Sequence, residues 1–480
     1  MNLKKNIAYQ TLYQIIILVI PLALSKYVTH IISKDTLGIY SYSYSIGGYF
    51  VLFAMLGIQK YGTRTISQVK KNIYLLRKTF WSLFYVHAIV SLFCITAYFF
   101  FCFFFSVEDK NVYFVQGLYV LSALFDITWL FYGLENFKSV VIKNLLIKIA
   151  EVVCIFALVK SNNDLLIYTF IKAGSVLAGQ VVLFPSVLKN IPFIKVDYSD
   201  IKPHIKPLFV LSISVFSTSI YSMLDKVLVG ALSPSGSGDV ALYDYADKII
   251  KIPLSIIAAV ETVMLPRLSY INATGDEDKL KNTIGKSIII VGLISMGAAF
   301  GIASISKTFV SLWYGLDYQY CSDLIQLLAP VVFIISFGDI IRSQYLIPKS
   351  KDTEYTISVV LGAFVNLCVN LLLIPKMGIK GAIVSTIIAE FLICTIQLWF
   401  TRHKLPVVRY LVEMIPFTII GGVMLWVNIN LQKALGLSYL SLLTQILLGV
   451  STYFIFSLIY LFVFKKKLKI GYNPFYVKEG

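Results

Sequence analysis

"GIYSYSYSI" (Gly38–Ile46) returns 203 residues later as "ALYDYADKI" (Ala241–Ile249). Tyr40 falls on Tyr243, Tyr42 on Tyr245 and Ile46 on Ile249. The same offset carries Arg64 of "YGTRTIS" onto Arg267 of "MLPRLS". At an offset of 213, "DITWLFYGLENFK" (Asp126–Lys138) falls on "DIIRSQYLIPKSK" (Asp339–Lys351). There Asp126 meets Asp339, Ile127 meets Ile340, Tyr132 meets Tyr345 and Lys138 meets Lys351. Each match is short, but they keep their order along the chain, and a single internal duplication explains both.

Composition says what is duplicated. Of the 480 residues, 58% are hydrophobic and 14% charged, with a mean hydropathy of +0.79. Soluble domains are about 45–50% apolar and about 25% charged, so this is an all-α polytopic membrane protein. A bilayer-spanning helix takes about 20 mostly apolar residues. About fourteen such segments are expected, near 7–30, 37–58, 79–104, 112–133, 141–160, 165–188, 208–232, 241–264, 285–306, 323–347, 354–374, 379–401, 410–431 and 438–464. The first is read as a retained span, because no small-residue cleavage site follows it. The two matches join helix 2 to helix 8 and helix 4 to helix 10. A shift of six helices is even, so both halves cross the membrane in the same sense, the parallel-repeat plan of some transporters. The expected organisation is an N-terminal lobe of helices 1–6 (1–188), a cytoplasmic linker (189–206) and a C-terminal lobe of helices 7–12 (207–402). Helices 13–14 (403–464) stand outside the repeat, and a basic cytoplasmic tail follows (465–480).

Lys and Arg number 42 against 25 acids. No basic stretch is interleaved with stacking aromatics in a soluble module, which excludes nucleic acid as a partner. The excess follows the positive-inside rule instead. With both termini cytoplasmic, 28 Lys and Arg fall on inside segments and 8 on outside segments. The longest connections expected are Lys189–Lys206 and Arg267–Thr283, which leaves no room for a soluble catalytic domain. No enzyme signature appears. "IGKS" (Ile284–Ser287) lacks the earlier glycine of a phosphate-binding loop, having Leu280 there. His30, His87, His204 and His403 have no metal-ligand spacing, and the six cysteines form no C-x-x-C pair. Neither a metal nor a cofactor is expected.

The chemistry lies in ionisable residues within the spans. They are Asp126, Lys148, Glu151, Lys172, Asp225, Lys226, Asp244, Asp247, Lys248, Lys251, Glu261, Asp339, Arg342, Glu390 and Glu413. Each costs roughly 2.5–3.5 kcal/mol on insertion scales at a span centre and faces a partner or a wet cavity. Positions 244, 247, 248 and 251 share one helix face, with each acid four residues before a lysine. Ile249, Ile250, Ile252 and Leu254 are expected to face lipid on the other side. The first-lobe counterparts, Ser41, Tyr44, Ser45 and Gly48, are uncharged. Two readings stand: the charges lock helix 8 to helix 7 through Asp225 and Lys226, or they line a cation-bearing cavity for an anionic substrate. Lys148 and Lys172 are read as snorkelling to an interface, and Glu390 and Glu413 as capping packed helices.

"LGIYSYSYSIGGYF", "LGIQKYGTRTIS", "FDITWLFYGLENFK", "MLDKVLVGAL", "ALYDYADKI", "VMLPRLS", "LIPKSK" and "GAFVNLCVNLLLIPKMGIKGAIVSTIIAE" resemble the Wzx-type flippases of polysaccharide biosynthesis, within the multidrug/oligosaccharidyl-lipid/polysaccharide exporter superfamily. The resemblance covers about residues 7–400 in order. It implies a two-lobed, V-shaped bundle that alternates between cytoplasm-facing and outward-facing states. It implies an oligosaccharide repeat unit on undecaprenyl diphosphate as substrate, a bacterial plasma membrane location, and transport driven by an ion gradient or the membrane potential. Other polysaccharide-assembly proteins would be its neighbours. On that reading Lys226, Lys248 and Lys251, with Arg64 and Arg267, attract the diphosphate. Asp225, Asp244 and Asp247 tune those lysines or carry a coupling proton, and Asp126 is a gating or coupling carboxylate of the first lobe. The prenyl tail would run along helices 13–14. The rival readings are a cation-coupled drug antiporter on the same fold, which would have an acidic, apolar cavity, and a membrane polysaccharide polymerase, which would present a sizeable external loop.

Overall fold

The computed structural model describes residues 20–105 and 109–464. The start of the first expected span and the basic tail lie outside the described residues. Among the described residues the regular structure is helical throughout. In chain order the helices are α1 (20–31), α2 (Lys34–Met55), α3 (Ile58–Val69), α4 (Ile73–Phe104), α5 (Lys110–Leu124), α6 (Thr128–Gly133), α7 (Phe137–Leu158), α8 (Leu165–Val181) and α9 (Phe184–Asn190). They continue as α10 (Tyr198–Leu232), α11 (Gly238–Ala273), α12 (Glu277–Trp313), α13 (Cys321–Ile341), α14 (Asp352–Met377), α15 (Ile379–Thr401), α16 (Val407–Leu435) and α17 (Tyr439–Phe464). Among the described residues ten stretches are long and apolar enough to cross a membrane, α2–α3, α5–α6 and α8–α9 each counting as one. The other four expected spans, α1, α7, α10 and α11, are helical as well.

Local chemistry explains the breaks. Asn72 caps α4 by accepting from the Tyr74 and Leu75 amides at 3.1 and 3.2 Å, and Asp276 caps α12 by accepting from the Lys279 amide at 2.9 Å. The α2–α3 break is a left-handed pair, Leu56 (φ 39°) and Gly57 (φ +66°). A side chain at Gly57 would press on the Ser212 backbone, so glycine there serves both the φ and the approach.

Two expected connections are shorter than the sequence implied. Between α9 and α10 only 191–197 is non-helical, and between α11 and α12 only 274–276. The helices simply continue past the bilayer. α11 has 36 residues, about 54 Å of helix against a hydrocarbon core of about 30 Å. The lipid-facing assignment on this helix is also corrected: Ile249 and Ile250 are 7% and 3% exposed. Their face packs against protein, and it is Lys248 and Lys251 that are exposed.

The chain forms two compact units. Unit 1 is Met1–Asp244 with Leu367–Ala382, and unit 2 is Tyr245–Asn366 with Ile383–Gly480. One core of unit 1 gathers Ile58, Tyr61, Phe80, Trp81, Trp129 and Leu208 from α3, α4, α6 and α10. The main core of unit 2 includes Ile288, Val291, Phe337, Met414, Phe417 and Tyr453, so α16 and α17 are built into this unit on α12. They are held as membrane helices are, by small residues and cross-helix hydrogen bonds. Gly292 lies against Met414 and Gly297 against Tyr453. Tyr453 donates to the Leu293 carbonyl at 2.9 Å, and Asn428 to the Ser304 hydroxyl at 2.8 Å.

Candidate functional site

Within unit 1, α10 is tied to the start of α11 by two buried carboxylates. Asp244, 8% exposed, accepts from the Lys226 ammonium at 2.5 Å and from the Ser41 hydroxyl of α2 at 3.4 Å. Asp225, 5% exposed, accepts from the Tyr243 hydroxyl at 2.8 Å and from the Asn370 amide at 2.7 Å. The structural reading of the helix-8 charges is therefore realised here: Asp244 and Lys226 do link the two helices. Asn370 was not singled out from sequence, because an amide leaves no charge signal. The trace was two asparagines four residues apart, Asn366 and Asn370, in an apolar run.

The rest of the charged face belongs to unit 2. Lys251, half exposed, pairs with Asp247 at 2.7 Å, the expected i,i+4 partner. The Lys248 ammonium lies 4.5 Å from the centroid of the Tyr245 ring, a cation–π distance.

The structure brings together two clusters that the sequence left as separate residues. In unit 1, Lys148 (α7) and Lys172 (α8) both donate to Glu151 Oε1, at 2.7 and 2.8 Å, and Ser175 donates to Oε2 at 2.8 Å. Glu151 is buried. The snorkelling assignment for these lysines is overturned by depth. Lys148 stands eleven residues into the 22-residue α7, about 16 Å from either end, beyond the reach of a lysine stem. Beside the triad runs a row of tyrosines: Tyr40 packs edge-on against Tyr168 (4.9 Å) and lies 5.9 Å from Tyr44, which stacks on Tyr119 at 4.6 Å.

In unit 2 the Arg342 guanidinium is shared by Asp339 at 2.9 Å and Glu261 at 3.3 Å, and lies 5.8 Å from the Tyr355 ring centroid. Arg342 opens a π-helical turn, Arg342–Leu346, at the end of α13. Such turns are rare and recur at functional positions. Among the described residues Glu261 Oε1 and both amide atoms of the buried Gln344 make no hydrogen bond. Glu413 pairs with Arg409 at 2.7 Å within α16.

Asp126 sits where α5 gives way to α6, accepting from the Thr128 amide (3.0 Å) and hydroxyl (2.5 Å). Its repeat partner Asp339 lies in the last turn of α13, three residues before the π turn, so an aspartate stands next to a helix irregularity in each unit. Arg64 and Arg267 are exposed, Arg64 lying 5.6 Å from the Tyr61 ring centroid. Unit 1 carries an apolar groove of about 800 Å³ between α5, α7 and α8, walled by Phe114, Phe170 and Ile147, with Glu151 and Ser175 on its lining. Unit 2 carries one of about 350 Å³ between α13, α15 and α16, lined by Phe337, Trp399 and Leu411.

Comparison with known proteins agrees with this architecture. Residues 3–272 match the family described as "Polysaccharide biosynthesis protein". A protein of Shigella dysenteriae named as an O-antigen transporter is 26% identical over 286 residues, covering 59% of this chain and 71% of the relative. One of Escherichia coli K12, named likewise, is 21% identical over 416 residues, covering 84% of this chain and 98% of the relative. A solved structure of lipid II flippase MurJ in an inward closed conformation superposes with a TM-score of 0.73 over 97% of this chain and 99% of that chain. At 17% identity that likeness is one of fold. The family match takes in more than half of the chain, and on it the protein is assigned: it belongs to the polysaccharide biosynthesis protein family.

Proposed function

We propose that this protein is a flippase that moves an undecaprenyl-diphosphate-linked oligosaccharide repeat unit from the cytoplasmic to the outer face of a bacterial plasma membrane, for surface polysaccharide synthesis. Both termini are cytoplasmic in this reading, and the lobes alternate access under an ion gradient or the membrane potential. The chain carries out no chemical step and uses no cofactor. The observation that carries the proposal is the set of ion clusters at membrane depth on a chain of this family. Ionisable groups buried in spans mark substrate and ion pathways, and lysines serve an anionic lipid carrier.

The geometry suggests how the named residues work. Lys226 and Lys251 are each neutralised by an aspartate, Asp244 and Asp247. A diphosphate would displace that carboxylate, which then takes up or releases the coupling ion. Lys248, and the exposed Arg64 and Arg267, would steer the diphosphate inward. Asp225 would couple through its Asn370 and Tyr243 hydrogen bonds, and Asp126 through the α5–α6 break. The apolar groove beside α16 suits the prenyl tail.

The test is deletion of the gene, followed by assay of lipid-linked repeat units on each membrane face. Units accumulating on the cytoplasmic face are expected. Units that reach the outer face unpolymerised would refute transport and point to a polymerase.

A further inference from the structure

In unit 1, α2 and α5 pack side by side, and both break off. α2 gives way to α3 at Leu56–Gly57, and α5 gives way to α6 between Phe125 and Ile127. Their last turns lie together: Ala54 of α2 and Ala123 of α5 share a buried cluster with Cys94 of α4. The segments beyond the breaks are joined as well. Gly62 of α3 lies against the Trp129 indole, and Gly133 of α6 against Ile66. Gln59 Nε2 donates to the Thr128 hydroxyl at 3.2 Å, and Thr63 Oγ1 to the Trp129 carbonyl at 3.3 Å. α3 and α6 are thus one packed pair hung from two neighbouring breaks, the form of a hinge.

His87 of α4 stands at that hinge and is 1% exposed. Its Nε2 lies 2.7 Å from the Ala123 carbonyl. A carbonyl only accepts, so Nε2 carries the proton, and in the neutral ring Nδ1 is a bare lone pair. Among the described residues Nδ1 makes no hydrogen bond. A buried polar atom left this way is costly until something completes it. What this face of α4 meets is an acceptor. Ser91, one turn on from His87, donates at 3.5 Å to the carbonyl of Ala54, in the last turn of α2. Such helix-end carbonyls lack an intrahelical partner. A lone pair gains nothing from a carbonyl, whereas an N–H does. An acid is also in place to steady an imidazolium: the Asp126 amide donates at 3.1 Å to the same Ala123 carbonyl that His87 holds. The other titratable groups on the surrounding helices are Cys94 two turns along α4, the exposed Lys60 and Arg64 of α3, Lys143 of α7, which interacts with Asp126, and His204 of α10, bonded to Tyr61 of α3 at 2.8 Å.

We propose that His87 is a proton-binding site that latches this hinge. Nδ1 takes a proton from water, the ring charge rises by one, and the new N–H ties the end of α2 as Nε2 already ties the end of α5. The ring is closed off from water, so the proton enters only when the breaks open, and uptake and closure are linked. The site stands apart from the transport reading; on that reading it makes the proton a coupling ion of unit 1.

Ring state and hinge opening are read separately, on full-length protein in nanodiscs. Solid-state NMR of isotope-labelled histidine uses a chain carrying His30→Gln, His204→Gln and His403→Gln, so that one ring is observed. Between about pH 8 and about pH 5, either side of the ordinary histidine range, the ring should pass from the Nε2–H tautomer to the imidazolium. Hydrogen exchange of the wild-type chain, corrected for its intrinsic pH dependence, should be about tenfold slower in α3 and α6 at the lower pH, the least that a hydrogen bond from a charged donor contributes. His87→Gln keeps an amide donor for Ala123 and does not titrate, so α3 and α6 should exchange alike at both pH values. The slowing should persist in His204→Gln, the other histidine that touches α3. A ring that stays neutral overturns the proposal, and needs no variant at His87. So does an imidazolium without slower exchange, or a slowing that survives His87→Gln or vanishes in His204→Gln. Failure of the export assay would leave each outcome readable, since none involves cargo.

Discussion

The two units each hold a charged triad around a buried glutamate, and the triads are opposite in sign. Unit 1 sets two lysines on one glutamate, a formal surplus of one positive charge. Unit 2 sets one arginine between an aspartate and a glutamate, a formal surplus of one negative charge. Packing alone would be served better by neutral pairs, or by apolar side chains of similar volume. The setting differs too. The positive triad joins two regular helices, while the arginine of the negative one opens a π-helical turn where, among the described residues, Glu261 Oε1 and the Gln344 amide atoms make no hydrogen bond. A regular frame that presents fixed cations suits recognition of an anion. An irregular turn with spare acceptors suits a group that changes partner during a transport cycle.

The largest effects expected are those that break this comparison. Glu151→Gln strands two lysines, and Arg342→Gln strands two carboxylates; each should destabilise by about 3–5 kcal/mol, the cost of leaving a buried charge uncompensated. Lys148→Gln and Glu261→Gln remove only the surplus member and should cost about 1 kcal/mol or less. Thermal melts of the four variants in detergent check the pattern. If Lys148→Gln melts as early as Glu151→Gln, the second lysine is part of the scaffold and not a surplus.

Why these triads escaped the sequence reading is instructive. Lys148, Glu151 and Lys172 each stand out in sequence as ionisable residues within spans, but pairing across α7 and α8 depends on helix rotation, which periodicity within one helix does not fix. The face formed by Asp244, Asp247, Lys248 and Lys251 was legible because a single helix determines it. What covers the opposite face was not. Lipid and neighbouring helices are equally apolar, so Ile249 and Ile250 look the same in sequence whether they meet a tail or a side chain. The fold class was legible because it rests on long hydrophobic runs along the chain.

The repeat offers the next comparison. Gly38 opens one copy of the motif and Ala241 the other. A Cβ at Gly38 would stand 1.8 Å from the Ser237 carbonyl oxygen, a backbone atom with little room to give. Gly38→Ala, the residue that the other copy uses, should therefore cost about 1–3 kcal/mol as overpacking, by the same melt. A neutral result would mean that α2 and the start of α11 slide apart cheaply, and that their close approach does not fix unit 1.

The smallest structural effect belongs to Lys251. Its pair with Asp247 is an exposed i,i+4 contact of 2.7 Å, and such pairs contribute only about 0.2–0.5 kcal/mol. Lys251→Ala should leave the melt nearly unchanged. Export should not follow stability. If Lys251 exchanges Asp247 for a diphosphate, the alanine variant loses export at normal protein level, and Lys248→Ala, which removes the cation over Tyr245, does the same. Stability and export thus separate at these two residues, whereas at Glu151 they fall together. Wild-type export by both variants would end the diphosphate assignment for this face of α11. The tie between Asp244 and Lys226 would then be the main work of its charges.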